Sequence, residues 1–460
     1  MRVISLIGMA VLSALVAACS ARAPYAPPAS APATPTQLGT ELFMPQPYDA
    51  RWWTQFDDPV LERLQERALT SNHDLRAAVA RVEQARAVFD DVKLDRYPTA
   101  TVGGGVEWRE QAVPGFTSEP IRTTTYRAAL DMFWEIDLFG RVRSATRSAA
   151  ATAQEYEAAR QDMQVVIAAD VARSYFELRG LQQQRAVIER SLQNQQETLR
   201  LTRVRREAGL GEEFDVARAG ARVAAIESSL PLLNAEIARH EHSLAVLCGA
   251  RPGALGEDLS PRPYAPLAKA LPIGDVGDLL RRRPDVRQAE RRLAAVSELE
   301  SVARADLFPR VSIIGVLGLL AGRGSVFGTS DSRAWAVAPA MQWAGFDLGS
   351  VRARLRGANA ASREALSAYD QTVLRALEEA DNAFVAYRED QQRLVKLADQ
   401  VRESERASSI ARVRYREGIS DFLALLDAER TQLDAEDAFA QAEARVFVSV
   451  VSVYKALGGP

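Results

Sequence analysis

The chain has 460 residues, with 57 Lys plus Arg against 60 Asp plus Glu, a net charge of −3, 47% hydrophobic and 25% charged residues. That mixture is too apolar for a disordered chain and too charged for a bundle of membrane-spanning helices, and the balanced charge excludes a chain-wide basic field for nucleic acid. Two cysteines, Cys19 and Cys248, and three histidines, His73, His240 and His242, exclude a disulfide scaffold and a Cys-rich zinc module.

The first element is an export signal. Arg2 precedes an apolar run from Val3 to Ala18 that carries small residues near its end. Such a run is shorter than the ~20 apolar residues of a membrane span and has the make-up of a secretory signal peptide. It closes on Leu15-Val16-Ala17-Ala18-Cys19, which resembles a bacterial lipobox, so residues 1–18 are expected to be removed and Cys19 to carry the lipid. Ser20 follows, where an Asp would mark retention at the inner membrane, so the resemblance implies the outer membrane. Residues 19–50 hold seven prolines between Pro24 and Pro47 and read as an extended tether.

The rest of the chain is a duplication. Asp74, Arg76, Asp95 and Pro98 recur as Asp285, Arg287, Asp306 and Pro309. After a slip of two residues, Trp134, Gly140 and Val142-Arg143 recur as Trp343, Gly349 and Val351-Arg352. Further on, Arg203-Val204-Arg205 and Gly209 recur as Arg412-Val413-Arg414 and Gly418. So long a period indicates two copies of one large unit rather than a solenoid. Residues 51–250 are read as the first copy, 251–284 as a Pro-rich linker and 285–460 as the second.

Each copy has the same predicted plan. Proline is absent from Ile121 to Leu230 and again from Ala340 to Gly459, where Ala, Leu, Arg, Glu and Gln dominate. Arg141 to Arg206 and Arg352 to Arg416 are each expected to form one helix, about 100 Å long at ~1.5 Å per residue. Gly209-Leu210-Gly211 and Gly418-Ile419-Ser420 end them in turns, and helices return over Phe214–Leu247 and Phe422–Leu457. Helices of this length point to coiled-coil-like rods.

Ahead of each long helix the period changes to two. Thr101, Gly103, Gly105, Glu107 and Arg109 alternate with Val102, Val106 and Trp108. Thr123, Thr125, Arg127 and Asp131 oppose Tyr126, Leu130, Met132 and Trp134. In the second copy Trp335, Val337, Met341 and Trp343 alternate with alanines, although Val311–Ala321 alternates poorly and Pro339 is ill suited to a central strand. Alternation over about 10 residues with aromatics near the ends is the pattern of transmembrane β-strands. Four strands cannot close a barrel, and open edges are not tolerated in lipid, so spanning strands would require several chains to share one barrel.

Two stretches carry a family resemblance. Trp134-Glu135-Ile136-Asp137-Leu138-Phe139-Gly140-Arg141-Val142-Arg143 resembles the strand-to-helix junction of outer-membrane efflux factors. Arg414 to Glu429 is similar to their periplasmic-tip motif. With the lipobox, the chain resembles the lipoprotein branch of the TolC family. The resemblance implies an α+β membrane protein: a duplicated unit of two β-strands plus long antiparallel α-helices. It implies a homotrimer forming a 12-stranded outer-membrane β-barrel, a periplasmic α-helical barrel and a mixed equatorial girdle. Trp52 to Asp58 and the 251–284 linker would contribute to that girdle, with the C-terminal end. The implied function is a passive exit duct for drugs or other small toxic compounds. Its partners would be a periplasmic adaptor protein, an inner-membrane RND-type pump and outer-membrane lipid. A non-conducting lipoprotein that tethers the outer membrane through long helices is the alternative.

No enzymatic constellation stands out. Gly103-Gly104-Gly105 lacks the setting of a dinucleotide loop, Gly315 to Gly328 lacks a Gly-Lys-Ser/Thr ending, and His240 and His242 are on different helix faces. No cofactor other than the Cys19 lipid is expected, and Cys248 reads as a buried thiol. The sharper candidates are at the tips. Leu423 and Asp427, at i and i+4, match the positions that narrow the tunnel in the resembling family, with Asp421 beside them. Three copies would form an apolar neck and a carboxylate ring, a combination that gates by dewetting and favours cations. The first copy has Phe214 and Arg218 in their place, and Arg218 is expected to pair with a carboxylate. Gly209, Gly211, Gly418 and Ser420 would form the turns that dock the adaptor.

Overall fold

A computed structural model describes residues 41–47, 49–112, 120–265, 267, 270–275 and 278–459. Cys19, the export signal and the tether up to residue 40 lie outside the described residues. The elements run β1 (Phe43–Met44), α1 (Pro59–Ser71), α2 (His73–Leu94), β2 (Thr99–Gln111), β3 (Ile121–Ile136), α3 (Arg141–Glu207) and α4 (Glu213–Leu247). They continue as β4 (Leu271–Pro272), α5 (Leu279–Arg282), α6 (Pro284–Ala305), β5 (Arg310–Ala321), β6 (Arg333–Gln342), α7 (Leu348–Arg416) and α8 (Phe422–Ala456). No helix of the described residues is long and apolar enough to cross a membrane.

The described residues fall into two compact units, 80–157 with 288–371, and 41–79 with 158–287 and 372–459. Each unit draws on both copies of the duplicated sequence. The division therefore follows contacts in space rather than the order of the repeats.

The first unit holds an antiparallel sheet in the order β2-β3-β5-β6. The register puts Val102, Leu130, Leu317 and Trp335 in one cross-strand row and Thr101, Asp131, Val316 and Ala336 in the next. Because successive side chains alternate between faces, one face collects Val102, Trp108, Leu317, Trp335, Val337 and Met341, all exposed. The other carries Thr101, Glu107, Arg109 and an Arg127–Asp131 ion pair on the first hairpin, and Ala334, Ala336, Ala338 and Ala340 on the second. The poorly alternating stretch is a full strand, β5, and Pro339 pairs with Ile313 in β6. Within the single chain, β6 is paired on one side only.

The duplication persists at the level of single atoms. Trp134 Nε1 donates to Arg96 O at 3.1 Å, and Trp343 Nε1 donates to Leu307 O at 3.1 Å. Each indole thus fastens the end of a strand to the turn that begins its hairpin. The rest of the 134–143 motif builds the entry to α3. Gly140 takes φ +81°, Glu135 binds Arg141 at 2.5 Å, and the Asp137 carboxylate accepts from Val142 N at 3.1 Å and Arg143 N at 2.8 Å. Those two acceptances satisfy backbone donors that a helix start leaves open.

The second unit contains the larger core. Trp52, Trp53 and Phe56 are buried with Tyr175, Phe176, Leu271, Phe447 and Tyr454. Trp52 stacks on Tyr454 at 5.4 Å, and the Tyr454 hydroxyl donates to Gln55 Oε1 and Pro272 O, both at 3.1 Å. Asp58 caps α1 by accepting from Val60 N at 2.9 Å, and its other oxygen accepts from Tyr175 Oη at 2.5 Å. The 52–58 segment, the linker after residue 251 and the end of α8 therefore share one core, in which β1 and β4 pair in parallel. Arg283 is buried between Asp285 at 2.7 Å, Glu379 at 2.6 Å and the Ala456 carbonyl at 2.7 Å, and Lys455 Nζ, 2.9 Å from Glu379, supplies a second positive charge for the two carboxylates. Burial, reinforced by the Asp285 carboxylate, pushes Asp162 up to about 6. Cys248 is a buried thiol facing Leu64 O, raised to about 11 by burial. His240 is likewise buried, with Nδ1 at 3.3 Å from Ser174 Oγ and its pKa lowered by burial.

Candidate gate and tip site

The two long helices of the second unit end in the same backbone device. At the end of α3, Gly209 N donates to Arg206 O at 3.0 Å and Leu210 N to Arg205 O at 2.8 Å. At the end of α7, Gly418 N donates to Tyr415 O at 3.1 Å and Ile419 N to Arg414 O at 2.8 Å. This paired pattern is the Schellman termination, which requires a left-handed residue, and Gly209 and Gly418 supply it at φ +73° and +71°.

Side chains make the tips unlike each other. At the first, Glu212 makes no side-chain cap to α4, Phe214 is 61% exposed and Arg206 meets Glu213 at 3.3 Å on the surface. At the second, the Asp421 carboxylate caps α8 by accepting from Ala424 N at 2.9 Å. Phe422, 3% exposed, packs with Tyr415, Leu425 and Ala219 in a small apolar cluster. Arg205 reaches across from α3, its guanidinium 4.9 Å from the Tyr415 ring centre and its Nη1 donating to Tyr415 O at 2.9 Å.

The helix α8 has two working faces. Phe422, Leu425 and Glu429, at i, i+3 and i+7, are buried. Leu423 and Asp427 lie on another stripe, Leu423 at 48% exposure and Asp427 also exposed. The apolar residue that anchors the helix is Leu425 rather than Leu423. Asp421 thus caps the helix whose first two turns carry Leu423 and Asp427, both directed away from the cluster. Arg218 stands apart: its guanidinium lies 4.9 Å from the Phe214 ring centre, and among the described residues it has no carboxylate partner. Within one chain the guanidinium therefore makes a cation–π contact. Gly211 folds over the last turn of α3, where an added Cβ would sit 3.4 Å from Arg206 N. Ser420 has its hydroxyl buried without a partner among the described residues.

The sequence reading passed over the residue that binds the tip helices together. Glu429 is 5% exposed and accepts from Gln195 Nε2 at 2.7 Å, Thr198 Oγ1 at 3.2 Å and Arg412 Nη2 at 3.0 Å. One carboxylate thus clasps α3, α7 and α8. Its signal was present in the sequence, because a Glu at i+7 from Phe422 on an apolar stripe is a charge where a core residue belongs.

This geometry agrees with comparisons to known proteins. The outer membrane efflux protein family matches residues 64–250 and 276–459, once for each copy of the repeat. The antibiotic efflux pump outer membrane protein ArpC of Pseudomonas putida is 30% identical over 464 residues, 99% of this chain and 95% of its own. The toluene efflux pump outer membrane protein TtgC, also of Pseudomonas putida, matches with the same identity and coverage. Among solved structures, the outer-membrane channel OprN superposes with a TM-score of 0.94 at 48% identity, over 96% of this chain and 99% of that one. The open state of the Neisseria gonorrhoeae outer membrane channel MtrE gives a TM-score of 0.83 at 27% identity, over 96% and 98%.

The fold and the site define a transport component of the outer membrane. The chain belongs to the outer membrane efflux protein family, as the outer-membrane channel part of an efflux pump.

Proposed function

We propose that three copies of this chain form a passive exit duct, in which four strands from each copy build a twelve-stranded barrel and the long helices build a periplasmic tunnel. The observation that carries the reading is the four-stranded sheet, with one exposed apolar face and with β2 and β6 each paired on one side only. In lipid each unpaired backbone group costs several kcal/mol, so such a sheet is stable in a membrane only when its edges are closed by further copies. Light scattering on the detergent-purified protein tests this: three chains per particle are expected, and a monomer that still conducts would contradict it.

The periplasmic end is proposed to close at the second tip. Three Leu423 side chains would form an apolar neck and three Asp427 carboxylates a ring one turn along, with Asp421 near the entrance. Arg218, at the equivalent place on the first tip, would face this ring from the neighbouring helix hairpins. The turns at Gly209, Gly211, Gly418 and Ser420 would dock a periplasmic adaptor, each contact being weak alone and strengthened by threefold avidity. The adaptor would couple the duct to an inner-membrane RND-type pump, which supplies energy and selects the cargo. Relatives named for antibiotic and toluene efflux support drugs or other small toxic compounds as that cargo. Acyl chains on Cys19 would hold the mature chain in outer-membrane lipid; intact-mass analysis of the wild type against Cys19→Ser measures them directly.

A further inference from the structure

The duplication holds residue for residue in the sheet. β2 and β3 pair Val102 with Leu130, and β5 and β6 pair their counterparts, Ile313 with Pro339. The offset is 211 residues up to the first strand of each hairpin, as from Pro98 to Pro309, and 209 from the second strand onward, as from Trp134 to Trp343. The flanking helices follow the order of the strands. Arg86 of α2 meets Glu157 of α3 at 3.0 Å, Arg147 of α3 meets Glu298 of α6 at 2.8 Å, and Ser297 of α6 meets Ser362 of α7 at 3.4 Å. The layer α2-α3-α6-α7 thus ends at α2 and α7, as the sheet ends at β2 and β6. The junction of α3 with α6 joins the first copy of the repeat to the second, so its counterpart is α7 against the α2 of another chain.

The junction within the chain sets an antiparallel register. Beside the Arg147–Glu298 pair, Ser148 Oγ donates to Ala295 O at 2.9 Å, Arg291 Nη1 donates to Gln154 Oε1 at 3.1 Å, and Ala151, Ala294 and Ala295 are buried together. One turn from that pair Arg143 comes level with Val302, and it takes its carboxylate from the preceding turn, Asp137 at 3.1 Å. At the other end burial raises the Glu155 pKa and the nearby Arg292 charge opposes the rise.

At the open junction the same offsets replace Arg143 by Arg352, Asp137 by Phe346 and Val302 by Asp91. Arg352 has therefore lost the carboxylate of its own turn, and the facing helix carries one in its stead. Glu155 and Arg292 become Glu364 and Arg81, which keeps the opposition of charge. Arg81, Asp91, Arg352 and Glu364 are all exposed, and none has an ion-pair partner among the described residues. Two complementary pairs at matching register positions, all four members unpaired in the single chain, identify the missing partner as a second copy of it.

We propose that α7 of one copy packs against α2 of the next in the register of α3 on α6, with Arg352 paired to Asp91 of the next copy and Glu364 to Arg81 of the next copy. This rests on the trimeric reading above, in which three such junctions close the helix layer beneath the barrel.

Disulfide trapping and charge exchange test it on the detergent-purified full-length protein, once light scattering has counted the chains per particle. Gln84→Cys with Ala360→Cys, at the counterparts of Ala295 and Ala151, is expected to give covalent dimers and trimers on mild oxidation. Arg352→Asp sets two carboxylates against each other at every junction, and dissociation of the trimer is expected to become at least about tenfold faster. Adding Asp91→Arg should restore the wild-type rate, and Glu364→Arg with Arg81→Glu should behave likewise. Trimers that yield no cross-linked species, or exchanged pairs no slower to dissociate than the single reversals, would overturn the proposal and leave the duct standing. Particles of one chain would overturn both.

Discussion

At the first tip Arg206 meets Glu213 in an exposed ion pair of 3.3 Å. At the equivalent positions of the second tip, Tyr415 meets Phe422 with ring centres 5.9 Å apart, both rings buried. The backbone turns are the same in both places, closing on Gly209 and Gly418 with the same pair of hydrogen bonds. Duplication therefore preserved the turn and divided the side-chain work. An exposed ion pair contributes on the order of 0.2–1 kcal/mol and is screened by salt. A buried aromatic pair contributes on the order of 0.5–1.5 kcal/mol beyond the burial of its surface. The second tip is also capped by Asp421 and clasped by Glu429. A tip fastened in this way holds Leu423 and Asp427 in fixed positions on α8, which a constriction needs and an adaptable docking turn does not.

The largest expected effect is at Phe422. Phe422→Ala should remove about 3 kcal/mol of local stability, the lower end for a buried Phe. Amide hydrogen exchange over residues 415–425 should then be roughly a hundredfold faster. Phe214→Ala, at an exposed position, should change exchange at the first tip by no more than about 0.5 kcal/mol. Equal effects at the two tips would break the comparison.

Glu429→Ala comes next, because it strands Gln195, Thr198 and Arg412 together. A fully buried pair costs more to break, but Arg412 retains some solvent, so about 2 kcal/mol is expected. Protease cleavage within residues 190–200 should increase, whereas Glu429→Gln, which keeps an acceptor, should lose less.

The glycines sharpen the comparison from the other side. Gly209→Ala and Gly418→Ala should each cost about 1 kcal/mol, since both place a Cβ in the left-handed region. Exchange rates at the two turns should shift alike, and a large inequality would mean that the shared backbone is not what sets them. The smallest effect belongs to Arg206→Ala, under about 0.5 kcal/mol and vanishing at high salt. A loss there as large as that of Phe422→Ala would show that the ion pair carries structural weight.

Much of this arrangement could be read before any coordinates. Trp134 and Trp343, spaced alike in the two copies, announced a repeated junction, and the structure gives both indoles the equivalent carbonyl partner. Gly209 and Gly418 announced the turns because few other residues tolerate a positive φ. The second hairpin was harder, since β5 carries apolar residues on both faces and Pro339, a residue that cannot donate to a ladder, nevertheless pairs with Ile313. The Glu429–Arg412 clasp was missed for a different reason. Long helices place charges on every face, and spacing alone does not tell a solvated carboxylate from one clasped by three helices. Spacing does not show that the Arg218 guanidinium lies over the Phe214 ring, because a side chain's direction on a helix surface depends on its rotamer.

The most direct test of the proposed gate is single-channel conductance in planar bilayers, comparing the wild type with Asp427→Ala. Wild-type steps should be small and cation-selective, and the variant should open wider and lose part of that selectivity. Channels of unchanged size and selectivity in the variant would contradict a gate at the second tip.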